Sequence, residues 1–240
     1  DGKIAATLEN IEVESIPNGQ DEWHAIIRDF EAKDFLLDSL GKNKSSFNLN
    51  NAFMENLTIS SSLILNMQKL VAANSNFGIK GLTGGFSDQV NSWKWSNVSF
   101  NKKNNTLHAD SFSIRPILSR DSFMARQAYE TDYLQFDFGE LNAGPVDLEK
   151  YINEKSLHIR KIKLDSFRFS DYRDKRLPEL TGTIKPLPVN LARAIPFKFS
   201  FDTLQLSNAS VDYSEMSEKT GKEGLVPVRR LNAMIIGFKN

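Results

Sequence analysis

Residues 157–174 read LHIRKIKLDSFRFSDYRD, and residues 197–215 read FKFSFDTLQLSNASVDYSE. Each stretch alternates apolar and polar residues, passes an Asp and a small hydroxyl residue, alternates again, and ends in Asp-Tyr-x-Asp or Asp-Tyr-x-Glu. Alternation with a period of two is typical of a β-strand that buries one face. The two stretches therefore predict a strand-rich unit that occurs twice, and nothing in them resembles an active site.

The same alternation continues along the rest of the chain. The clearest hairpin runs from Trp93 to Ile114 around the turn Lys102–Asn105. Residues 30–40 fit either one helical turn or a buried strand. Short helical turns are expected at residues 147–151, with Asp147 as the N-cap, and at residues 189–195. Residues 119–128 are irregular or form a short helix.

These patterns predict an all-β fold, because the crossover helices that parallel α/β folds need are missing. We expect an elongated, curled, meandering antiparallel sheet with one or two very short helices. Since most strands alternate, each sheet has one apolar and one polar face. The sequence leaves open whether that apolar face lines an open gutter or closes into a flattened sandwich.

The composition excludes some classes of function and makes others less favourable. The chain has 240 residues, of which 40% are hydrophobic and 25% charged, which suits one folded β-rich domain over residues 1–240. Thirty basic residues balance thirty acidic ones, so no overall field favours nucleic acid. Cysteine is absent, which excludes disulfides and thiolate chemistry. No apolar run reaches the ~18 residues of a membrane-spanning helix. The chain opens at Asp1, so we expect a piece of a longer protein whose leader or anchor lies outside it.

Several residue groups were considered for chemistry, and each has a simpler structural explanation. The histidines are His24, His108 and His158, which lie far apart and lack neighbours at metal-ligand spacing. The carboxylates Asp171, Asp174 and Glu215 fit a glycosidase pair less well than strand-end capping residues. Trp93 and Trp95 fit a sugar-stacking platform, but tryptophans on one face of a strand are more typical of packing. The sequence therefore predicts no catalytic residue, no metal site and no cofactor.

Four segments carry a resemblance to a known family. They are FSDYRDKRLP at 169–178, IPFKF at 195–199, NASVDYSE at 208–215 and GLVPVRRLNA at 224–233. This strand-and-turn pattern resembles the AsmA-like proteins of Gram-negative cell envelopes, with Bacteroidota members most similar. The match is best from about residue 93 to the C-terminus.

The resemblance implies a non-enzymatic periplasmic protein with a curled sheet, whose apolar inner face forms a groove for lipid. It also implies links to lipid transport and outer-membrane assembly, with phospholipid acyl chains or envelope proteins as partners and membrane anchoring by a segment outside this chain. The candidate groove residues are Leu134, Phe136, Phe138, Phe199 and Phe201.

The cations Arg173, Lys175 and Arg176 are candidates for a lipid headgroup or partner contact. Because acidic residues are interleaved with them, a solvated network of ion pairs is the favoured alternative. An extracytoplasmic carbohydrate- or protein-binding β-sandwich is the second functional hypothesis, and a glycoside hydrolase is the third.

Overall fold

The computed structural model describes residues 3–9, 13–18, 22–40, 45–60, 76–180 and 197–240. Within them the chain forms fourteen strands and two short helices. The strands are β1 (Lys3–Glu9), β2 (Val13–Asn18), β3 (Glu22–Leu40), β4 (Ser45–Ser60), β5 (Asn76–Ser87), β6 (Asn91–Asn101), β7 (Thr106–Ala109), β8 (Ser111–Pro116), β9 (Asp132–Phe138), β10 (Glu140–Val146), β11 (Ser156–Asp165), β12 (Arg168–Asp174), β13 (Lys198–Met216) and β14 (Glu223–Lys239). The helices are α1 (Arg120–Met124) and α2 (Leu148–Glu154).

All fourteen strands belong to one sheet, which confirms the predicted all-β fold. Residues 30–40 are strand rather than helix, because they lie within β3 between β1 and β4. Helix α2 begins at the predicted cap, where Asp147 Oδ1 accepts a hydrogen bond from Lys150 N at 2.9 Å. The helical turn predicted at residues 189–195 lies outside the described residues.

The two sequence copies lie side by side in the sheet and run in parallel. Strand β13 pairs with β11 from Leu157 opposite Phe199 onward, and then with β12 from Arg168 opposite Ser210. The predicted antiparallel meander is therefore wrong at this junction, although the other described pairings are antiparallel. In this register Asp171, not Tyr172, is opposite Tyr213. The two tyrosines of the repeat consequently point to opposite faces of the sheet.

Several consecutive strands are halves of one longer strand, interrupted by a single irregular residue. The pairing of β7 with β10 places Leu107 opposite Ala143, and the pairing of β8 with β9 continues the same register with Phe112 opposite Phe138. Strands β9 and β10 are joined in the same way through Gly139, and β11 and β12 are joined through the two residues Ser166 and Phe167.

The interruptions line up across the sheet in what we call the bulge row. It is marked by residues with positive φ, namely Asp34, Gly81, Asn97, Ser166, Asn208 and Arg230. Asn97 Nδ2 donates to Asp110 Oδ2 at 3.0 Å, and Asn208 N donates to Asn232 Oδ1 at 3.0 Å. An extra residue reverses the alternation of a strand. Because the neighbouring strands carry the extra residue at the same height, apolar side chains stay on one face above and below the row.

The sheet curls toward its apolar side. Phe77 and Ile79 of β5 line the same cavity as Leu157 and Ile159 of β11. In a flat sheet these strands, separated by β6, β7 and β10, would lie about 19 Å apart. The chain exposes 15592 Å² of surface, whereas a compact monomer of 27.2 kDa exposes about 10,900 Å². Such an excess is typical of a sheet whose faces are not covered by a second layer.

Candidate functional site: an open apolar face

The candidate site is the continuous apolar side of the sheet, here called the apolar face. Its members come from strands throughout the sheet and include Phe47, Leu49, Phe77, Ile79, Trp93, Trp95, Phe112, Phe136, Ile159, Phe201 and Val211. Neighbouring strands place these residues opposite one another, so their side chains form rows across the sheet. Most of them are only half-buried.

Aromatic rings connect the strands along one half of this face. Phe86 stacks on Trp93 at 5.6 Å between centroids, and Trp93 meets the edge of Phe112 at 6.2 Å. Phe112 in turn stacks on Phe138 at 5.4 Å. Pairs of this kind add about 0.5–1.5 kcal/mol beyond the area that they bury. The tryptophan rings therefore take part in the apolar face, and Trp93 also donates from Nε1 to Asp88 at 2.9 Å.

The five predicted groove residues lie in two parts of the apolar face. Phe136 and Phe138 are half-buried, and Leu134 at the end of β9 is 45% exposed. Phe199 and Phe201 belong to the other part, where Phe201 is only 8% exposed and stacks on Phe238 at 5.2 Å. The face is thus densely packed near β11 and β13 and more open near β9.

A cavity of about 330 Å³ lies on the apolar face between β5 and β11. Only apolar residues line it, namely Phe77, Gly78, Ile79, Phe100, Leu107, Val146, Leu148, Leu157 and Ile159. Gly78 is needed there because an added Cβ would lie 2.7 Å from the ring of Phe53. A cavity without polar groups cannot hold a sugar or an ion by hydrogen bonds, and it suits a hydrocarbon chain.

The predicted headgroup cations are all paired within the chain. Arg173 donates to Asp132, Lys175 Nζ lies 3.1 Å from Glu215, and Arg176 Nη2 lies 2.6 Å from Asp174. These pairs are the ion-pair network that was the favoured alternative. The hydrogen bond from Arg176 holds the pKa of Asp174 below its ordinary value.

A tyrosine joins this network on the apolar side. Tyr213 Oη donates to Glu215 at 2.9 Å. Burial, together with this hydrogen bond, raises the pKa of Tyr213 to about 12. The pKa of Glu215 is lowered, first by the hydrogen bond from Tyr213 and then by that from Lys175. At neutral pH Tyr213 therefore stays protonated and Glu215 stays ionised.

The carboxylates of the hydrolase hypothesis do not all lie on one face of the sheet. Asp171 and Asp174 are three residues apart in β12, so regular alternation sends their side chains to opposite faces. A general acid needs a raised pKa at its working pH, and the pKa values of Asp174 and Glu215 are both lowered.

The histidines lie in separate strands. His108 has Asn142 Oδ1 at 2.9 Å from Nδ1 and Asp110 Oδ1 at 2.9 Å from Nε2. Its pKa is raised, chiefly by Asn142 and then by Asp110. His158 Nδ1 lies 2.9 Å from Ser200 Oγ, and His24 lies in β3. Across the described ranges no three His, Asp or Glu side chains are grouped as metal ligands would be.

Two features were missed by the sequence reasoning. A small apolar cluster on the polar face packs Met124 of α1 against Tyr133 and Tyr172, with Arg120 over the Tyr172 ring at 4.3 Å. The only sequence signal was that both tyrosines stand at polar positions of their strands. The second feature is the exposure of large apolar side chains along β14.

Comparisons with protein-family models, with curated proteins and with solved structures give no match to this chain. Among the described residues, no helix has the length and apolar character required to cross a bilayer.

Proposed function

We propose that this protein is a non-enzymatic cell-envelope protein that binds lipid acyl chains along its apolar face and holds or conducts them there. The observation that carries the proposal is the half-exposed apolar face, with its cavity of about 330 Å³ lined only by apolar residues. An exposed apolar surface of this extent is typical of a binding surface rather than of a finished core.

The energetics favour a hydrocarbon ligand. Each methylene buried against the face contributes about 0.8 kcal/mol, so ten methylenes of one acyl chain contribute about 8 kcal/mol before the entropy cost of binding. No hydrogen bond is needed, which suits the cavity, because only apolar residues line it. The intramolecular pairing of Arg173, Lys175 and Arg176 leaves the headgroup to water rather than to a dedicated anion site.

The periplasm of a Gram-negative bacterium is the proposed location, and support of outer-membrane assembly is the proposed wider role. Both follow from the resemblance of residues 169–178 and 208–215 to AsmA-like proteins. The absence of cysteine is compatible with this location.

Photo-crosslinking from matched positions tests the proposal. A benzophenone amino acid at Phe136 projects into the apolar face, whereas the same group at Gln135 projects from the opposite face of the same strand. In a Gram-negative host we expect mass spectrometry to find acyl-lipid adducts on the Phe136 variant and few on the Gln135 variant. Equal labelling at both sites, or no lipid on either, would refute lipid binding by this face.

A further inference from the structure

The polar face of the sheet carries a hollow of about 560 Å³ over β7, β10 and β11. No carboxylate of the described residues lines it. Because it opens on the side opposite to the apolar face, lipid bound to the apolar face would leave it accessible. The lining residues are Thr106, His108, Asn142, Lys161 and Lys163, together with the uncharged Leu107, Ala143, Gly144 and Pro145.

The strand register brings the polar side chains of the hollow together in two neighbouring rows. In the first row, Asn142 lies opposite His108 on one side and opposite Lys163 on the other. In the second row, Gly144 lies opposite Lys161. Alternate residues of a strand share a face, so the two lysines project to the same side, away from the buried residue between them.

Gly144 forms the floor of the hollow, because it places no side chain in the second row. An added Cβ at this position would lie 2.8 Å from Asn105 O and 3.3 Å from Thr106 Cγ2. Even the smallest side chain would therefore displace its neighbours and fill space beside Lys161. The depth of the hollow is set by the backbone at this glycine.

The two lysines of the hollow have no opposite charge beside them in the sheet. Lys161 lies between Gly144 and Thr203, and the residues that flank Lys163 are likewise uncharged. Both lysines are exposed, and neither pairs with a carboxylate of the described residues. Two neighbouring ammonium groups repel each other, and an anion bound between them would replace this repulsion by attraction.

The other end of the hollow is held by two carboxylates. Asp110 Oδ1 lies 2.9 Å from His108 Nε2, and Asp110 Oδ2 accepts a hydrogen bond from Asn97 Nδ2 at 3.0 Å. Glu140 accepts a hydrogen bond from Asn142 Nδ2 at 2.6 Å. These contacts fix the His108 ring and the Asn142 amide in place. The carboxylates thus act on the histidine end, and the lysine end keeps its positive charge.

We propose that this hollow binds a phosphomonoester group, with Lys161 and Lys163 contacting the phosphate oxygens and the Thr106 hydroxyl donating at the floor. A phosphomonoester carries a charge of about −1.5 to −2 at pH 7, which matches two ammonium groups. Lysine binds phosphate as a point charge, without the fixed geometry of an arginine fork. The proposal does not rest on the function of the apolar face, because the hollow opens on the other face.

Isothermal titration calorimetry with glucose 6-phosphate tests the proposal, with glucose as the uncharged comparison. We expect the phosphate ester to bind and glucose to give no heat. Lys161→Ala and Lys163→Ala should each weaken binding about tenfold, equivalent to ~1.4 kcal/mol. The control is Lys198→Ala, which removes an exposed lysine of the same face outside the hollow. It should change the affinity by less than about twofold, because distant exposed charges are screened.

Vesicle flotation separates a soluble source of the phosphate from a lipid source. Phosphatidic acid presents a phosphomonoester at a membrane surface, whereas phosphatidylcholine does not. For a lipid source, we expect binding to phosphatidic acid vesicles alone, lost in Lys161→Ala and Lys163→Ala but kept in Lys198→Ala. Circular dichroism verifies that each variant is folded. Binding to neither probe, an equal loss in Lys198→Ala, or unchanged binding in both hollow variants would overturn the proposal.

Discussion

Replacing Phe201 by Ala measures how tightly the apolar face is packed at β13. Phe201 is 8% exposed, lies opposite Ile159 and stacks on Phe238 at 5.2 Å. Truncation of a buried Phe costs about 3–5 kcal/mol, because transfer energy is lost and a cavity is left. Since one side of this face is open to water, we expect the lower part of that range, about 3 kcal/mol.

Leu134→Ala is the matched control at the open end of the same face. Leu134 is 45% exposed, so it contributes about half of the ~1.5–3 kcal/mol that a fully buried Leu contributes. We therefore expect Leu134→Ala to lower the free energy of unfolding by about 1 kcal/mol. Urea unfolding followed by tryptophan fluorescence and circular dichroism measures both changes in the free energy of unfolding.

Two results would refute this account of the face. A cost of 3 kcal/mol or more for Leu134→Ala, comparable with Leu→Ala in a core, would mean that the face is closed around Leu134. A cost below about 1 kcal/mol for Phe201→Ala would mean that the packed part near β11 and β13 does not form. The difference between the two losses in unfolding free energy tests whether the apolar face is packed more tightly at Phe201 than at Leu134.

Three further predictions concern the bulge row and the charged groups. Because the pKa of His108 is raised in the folded protein, its contribution to stability is present below the unfolded pKa of about 6.5 and is lost as the pH rises through the folded value. The melting temperature of the wild type should therefore exceed that of His108→Gln by more at acid pH than at neutral pH. Asp174 has a lowered pKa, so Asp174→Asn should cost about 1–2 kcal/mol at neutral pH, and the cost should disappear as the pH falls through the folded pKa of Asp174, which urea titration at several pH values would detect. Gly81→Ala should destabilise by about 1–3 kcal/mol, since φ is positive and the new Cβ would lie 2.3 Å from Asn50 Nδ2. Gly224→Ala, which meets nothing within 4 Å, should change the free energy of unfolding by less than about 0.5 kcal/mol in the same urea experiment.

Much of the sheet was predictable because alternation reports directly which residues share a face. The hairpin of β6 with β7 and β8, the turn at Lys102–Asn105 and the cap at Asp147 all follow from local sequence. Alternation does not report strand direction, since parallel and antiparallel strands present the same side chains. For that reason the parallel pairing of the two sequence copies was not predicted.

The candidate site was predictable in part for the same reason. Leu134, Phe136 and Phe138 were recognisable as one apolar row, and so were Phe199 and Phe201. Their different exposure was not predictable, because it depends on the curl of the sheet and on which strands lie opposite. The exposure of β14 was not predictable either, because its pattern of apolar residues is the same as that of an interior strand.

The bulge row fixes which residues of each strand lie on the apolar face on either side of it. The strands that cross the row are interrupted there by one or two residues, and neighbouring strands are interrupted at the same height. Loss of a single residue at Asn97 would turn Trp93 and Trp95 to the polar face while leaving Val98 and Phe100 in place. Insertions and deletions in these strands are therefore tolerated only as compensated pairs, and a strand can join this sheet only if it brings its own extra residue at the same height.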